Sequence, residues 1–181
     1  MIEFTECLND TWDYFFLTDP RTLSEFQSRE KLGSDLLNAF TTSDAAERAV
    51  ENGVMIPMGG IANFPYTILF NLDDEPSPFA PGDVQLRDSG HILQVQGDSL
   101  SLVTAPYLRD WPASRELPAF TEIRPSLSME PGWYTVAITG GEVVRHSGHE
   151  PAFEFAVRRS TERPTYTADM NFRFILTSRE Y

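Results

Sequence analysis

The chain has 181 residues, 41% of them hydrophobic and 12% aromatic, which is enough apolar material for one domain spanning 1–181 with its own core and excludes an intrinsically disordered protein. A net charge of −13 repels phosphate backbones, so direct nucleic-acid binding is disfavoured and a basic protein or a cation is attracted instead, a basic protein being the expected partner. One cysteine, Cys7, excludes an internal disulfide, and no apolar run reaches the ~20 residues of a membrane helix. The first residues are acidic where a secretory signal is basic, so the expected location is a reducing cytoplasm, away from membranes.

Helix is expected only in the first third. Leu32, Leu36, Leu37 and Phe40 have helical spacing, and Ser43 is placed to cap a turn over Asp44–Val50 that Gly53 ends. Val54–Pro57 reads as a short strand. Tyr66, Ile68 and Phe70 then alternate along one face of a strand. Residues 72–91, with Pro76, Pro78 and Pro81 behind Asp73-Asp74-Glu75, read as an exposed loop, and Pro106–Pro118 as a second.

Two tight hairpins are expected, because glycine-containing links between alternating runs suit turns that need positive φ. One turns at Gly97-Asp98, between Ile92–Gln96 and Ser99–Val103; the other turns at Gly140-Gly141, between Trp133–Thr139 and Glu142–Arg145. Ile123, Leu127 and Met129 suggest a poorer strand interrupted by Pro125. Phe153, Phe155 and Val157, and then Phe172, Phe174 and Leu176, give two more. Alternation of this kind puts one face on a core and one in water. The expected fold is mainly β: an antiparallel two-sheet sandwich with one or two short N-terminal helices, α+β being the alternative.

No catalytic or cofactor motif is present, and neither cofactor nor metal is expected. His146-Ser147-Gly148-His149-Glu150 is the one metal-like cluster, but it lacks the helical spacing of a metalloprotease and reads as a solvated turn. Cys7 lies among acids that raise a thiol's pKa, and no nucleophile elbow occurs. Gly59-Gly60 lacks the spacing and lysine of a phosphate loop. Trp12, Trp111 and Trp133 are candidates to line a sugar cleft, which keeps two alternatives open: a carbohydrate-binding or structural sandwich, and a glycoside hydrolase working through paired carboxylates.

Charge is unevenly spread. Residues 1–90 hold 16 acidic and 5 basic side chains, for −11, whereas residues 91–181 hold 11 and 9, for −2. Asp73, Asp74 and Glu75, with Asp83 and Asp88 beyond them, are therefore the candidate docking residues for a basic partner.

Three segments carry a resemblance: Gly53-Val54-Met55-Ile56-Pro57-Met58-Gly59-Gly60-Ile61, Pro131-Gly132-Trp133-Tyr134-Thr135-Val136 and Glu150-Pro151-Ala152-Phe153-Glu154-Phe155. Their arrangement resembles small acidic bacterial immunity proteins, the partners of polymorphic or type VI secreted toxins. The Pro-Gly-Trp-Tyr strand is also similar to one in competence-associated nuclease inhibitors. The likeness spans roughly residues 50–177 and transfers no functional residue. It implies a non-enzymatic inhibitor that neutralises a basic toxin, such as a nuclease, by stoichiometric binding.

Overall fold

A computed structural model describes residues 1–8, 13–117, 120, 122–145 and 148–177. Two sheets face each other. In the first, strands run in the order β1 (Ile2–Cys7), β4 (Tyr66–Asn71), β9 (Gly148–Ser160), β8 (Gly132–Arg145), β5 (Val84–Val95). In the second the order is β3 (Met55–Gly59), β2 (Tyr14–Thr18), β6 (Ser99–Thr104), β7 (Ser126–Ser128). The pairings between these strands are antiparallel except β4 with β9.

The predicted alternation builds the layer between the sheets. Tyr66, Ile68 and Phe70 from β4 and Phe153, Phe155 and Val157 from β9 meet Phe15 and Leu17 from β2 and Leu100 and Leu102 from β6. Among the described residues strand accounts for 42% and helix for 20%, which decides for the sandwich over α+β. The outer face of the second sheet carries a further layer, in which Phe16, Met55 and Val103 pack on helices α1 (Pro20–Arg29), α2 (Leu36–Thr42), α3 (Ala45–Glu51) and α4 (Trp111–Ser114).

Helices α2 and α3 match the sequence reading; the Ser43 hydroxyl accepts from the Ala45 amide, and Gly53 adopts φ +65° at the stop. Helix α1 was not expected, although Asp19-Pro20 is an N-cap followed by proline at the first helical position. The loop expected at 106–118 contains a 3₁₀ turn, Ala105–Leu108, and α4. Leu127 and Met129 are buried at β7, but Ile123 is 69% exposed and lies outside it. Along 172–177 the alternation holds, with Phe174 and Leu176 buried and Ile175 exposed, yet the segment forms only an isolated bridge from Arg173 to Gly59.

Neither expected hairpin forms. Strand β8 runs straight through Gly140-Gly141 and pairs with β9 along its whole length. Its glycines answer close approach instead: a Cβ on Gly141 would lie 2.1 Å from the Asp83 carbonyl oxygen. At Gly97-Asp98 the chain crosses from β5 in the first sheet to β6 in the second. The buried Asp19 carboxylate pins that crossing, accepting the Gln96 and Gly97 amides at 2.7 Å each while also capping α1.

Candidate functional site

Strand β4 ends at Asn71, and β5 starts at Val84 on the far edge of the same sheet, with β9 and β8 between them. Residues 72–83 therefore cross the outer face of those two strands. Phe79 anchors the crossing by packing on Leu69, Val143 and Ala152. Polar contacts fix the rest. Glu154, buried on β9, accepts from Asn71 Nδ2 at 2.8 Å and Ser77 Oγ at 2.6 Å. Asn71 also exchanges hydrogen bonds with the Glu75 backbone at 2.8 and 3.1 Å. At the far end the Asp83 carbonyl accepts the Glu142 amide at 3.0 Å.

The sequence-selected acids occupy this crossing unevenly. Asp73, Asp74 and Glu75 sit together and exposed where it leaves β4. Asp74, in the left-handed region at φ +59°, accepts from Arg158 Nη2 at 2.7 Å, and Glu75 pairs with the Met1 amine. Asp83 is half-buried at the other end. Asp88 is not in the loop at all: it lies within β5, 12 residues long, whose first residues were expected to belong to the loop. Its carboxylate lies 2.8 Å from His91 Nε2, with side-chain exposures of 11% and 3%.

His91 is held neutral. Burial lowers its pKa below 6.5, and the Asp88 charge opposes that shift only in part. Nε2–H donates to Asp88, while Nδ1 is buried with no partner among the described residues, so a second proton there would have no acceptor. The unfolded chain therefore binds more protons than the folded one below pH 6.5, and stability falls as pH drops through that range. Between pH 7 and 5.5 the stability of wild type is expected to fall more steeply than that of His91→Gln, the difference in slope staying below the one-proton limit of ~1.4 kcal/mol per pH unit. Urea melts across this range read it; identical slopes in both proteins would refute a buried neutral imidazole.

Other candidates fare differently. Burial pushes the Cys7 thiol up to about 11, with Arg124 pulling the other way, so desolvation rather than acidic neighbours keeps it unreactive. Trp111 is fully buried among the helices, its indole N–H donating to Ser24 Oγ at 2.9 Å, and offers no ring to a sugar. Trp133 is half-buried beneath the Arg163 guanidinium, 5.5 Å from its ring centre. His146 and Ser147 of the metal-like cluster, and Trp12, lie outside the described residues. Among the described residues no group of three or more His, Cys, Asp or Glu side chains converges as a metal site. Nor is any helix among them long and apolar enough to cross a membrane.

The residues that organise the acidic crossing, Glu154, Asn71, Ser77 and Arg158, were not singled out from the sequence. Glu154 sits between Phe153 and Phe155, on the side alternation assigns to water; only the returning loop buries it. Phe79, an aromatic amid prolines, was the available sign that the loop is anchored.

No family model matches the chain, and no curated protein matches it. Two solved structures are similar to it. One is ComJ, inhibitor of the DNA degrading activity of NucA, from Bacillus subtilis, at 13% identity and a TM-score of 0.44 over 88% of this chain and 100% of ComJ. The other is crocagin biosynthetic gene J, at 12% identity and a TM-score of 0.44 over 86% of this chain and 98% of that one.

Proposed function

We propose that this chain is a stoichiometric binding protein that neutralises a basic protein toxin of the nuclease type, docking it on the acidic crossing of the first sheet. The observation that carries this reading is the Asp73-Asp74-Glu75 run held exposed on an anchored loop. Ordering a loop on binding costs free energy, and here Phe79 and Glu154 have already ordered it. Asp73 carries no ion pair among the described residues, while Asp74 and Glu75 can exchange their internal partners for lysine or arginine side chains. Asp83 extends the acidic stretch; Asp88, turned toward His91, adds to the field rather than to the contact. Charges at the rim of an interface act mainly on encounter.

The first test is recovery of a complex of this protein with a basic partner at one-to-one stoichiometry, with loss of that partner's activity on binding. An acidic partner, or a complex in which activity persists, would overturn the proposal. The second is kinetic. Neutralising the run as Asp73→Asn, Asp74→Asn and Glu75→Gln together is expected to slow association about tenfold at low salt and to flatten its dependence on ionic strength. Neutralising Glu47 and Glu51, two exposed acids of the helical layer, is expected to change it little. Equal effects of the two sets would show that net charge alone steers the encounter.

A further inference from the structure

A second feature lies on the opposite side of the molecule, where the helical layer covers the second sheet incompletely. A cleft of about 310 Å³ opens between β2 and β3, helix α2 and the segment 170–173. Its walls include Phe16, Phe40, Met55 and Phe172, and Tyr14 and Met170 stand at its mouth, 39% and 40% exposed. Tyr14 stacks on Phe16 with ring centres 5.8 Å apart and planes within 15°, giving one wall a flat aromatic surface. Arg173 also lines the cleft, and among the described residues no carboxylate pairs with its guanidinium.

A small apolar cavity with one charged group is the usual form of a small-molecule site. A planar guanidinium beside it selects a planar anion, because its N–H fork matches a carboxylate in two parallel hydrogen bonds. The neighbouring edge of β3 does not favour an added peptide strand. Pro57 has no N–H to donate, and the Gly59 carbonyl already accepts the Phe174 amide at 2.8 Å. We propose that this cleft binds a small aromatic carboxylate, its ring between Phe16, Phe40 and Phe172 and its carboxylate on Arg173. The site is independent of the acidic crossing and of any toxin bound there.

Calorimetric titration of the full chain with 2-naphthoate, and with neutral naphthalene-2-carboxamide, tests it. The carboxylate is expected to bind, Arg173→Gln to weaken it tenfold or more, and the same variant to leave the carboxamide within twofold. Ala46→Met, which puts bulk into the cleft from α3, is expected to abolish both. Methyl-labelled methionine spectra locate the ligand: Met55 and Met170 should shift on binding, while Met58 and Met129, in the layer between the sheets, should not. Absence of naphthoate binding at millimolar concentration would overturn the proposal, as would equal affinity in Arg173→Gln, an exposed position that keeps the test alive should Ala46→Met not fold. A concentration-dependent dimer dispersed by Ala46→Met would assign the cleft to a second copy of the chain and also overturn it.

Discussion

Asp19→Ala is expected to cost about 3–5 kcal/mol, the sum of a lost helix cap and of amides left without their acceptor. The carboxylate is 1% exposed and accepts five donors: the Arg21 and Thr22 amides, the Thr22 hydroxyl, and the Gln96 and Gly97 amides. Losing the helix cap alone costs only ~1 kcal/mol. The larger part comes from the Gln96 and Gly97 amides, which lose a charged acceptor where the chain passes between sheets. Asp19→Ser separates the two contributions, because a hydroxyl caps a helix as well as a carboxylate does but is too short to serve the turn as well. Serine is expected to recover about 1 kcal/mol of the loss, as the cap is worth. Urea midpoints at constant slope measure it. Full recovery by serine would show that the turn contacts contribute nothing.

Gly141→Ala is expected to cost about 3 kcal/mol, the upper end of the range for overpacking. The new Cβ would lie 2.1 Å from the Asp83 oxygen and 3.0 Å from the Val84 Cα, both backbone atoms. That carbonyl cannot easily withdraw, since it accepts the Glu142 amide at 3.0 Å. The clash pushes the start of β5 away from β8 and loosens the loop that carries the acidic run, so protease cleavage between residues 72 and 83 should accelerate with the loss of stability. Gly82→Ala, one residue before Asp83, is the control: nothing lies within 4 Å of its Cβ, and a small stabilisation of roughly 0.4–1 kcal/mol is expected. Equal effects of the two substitutions would refute the close approach.

These two sites also show where the sequence could be read and where it could not. Period-two alternation is a local property of a strand, so Tyr66-Ile68-Phe70 and Phe153-Phe155-Val157 announced their inward faces before any pairing was known. Helix α3 was equally legible, because caps and stops act within a turn of the residues that make them. The mainly β class and the two-sheet sandwich followed from such local signs, as did the absence of a disulfide from a single cysteine.

Pairing was different. Gly97-Asp98 and Gly140-Gly141 both had the composition of a tight hairpin, yet one is a crossing between sheets and the other lies inside an unbroken strand. Glycine marks either a positive φ or a close neighbour, and only the fold says which: at Gly141 the neighbour is Asp83, 58 positions earlier in the chain. The same holds for function. The sequence by itself determined that the protein is strongly acidic and that its acids concentrate before residue 91. Only tertiary structure decided which of them stand together in solvent, because Glu154, Phe79 and the Met1 amine, distant in sequence, hold the acidic run in place, whereas Asp88 lies within β5 with its carboxylate on the buried His91. Local chemistry sets what each segment prefers, and long-range packing chooses which neighbour that preference meets.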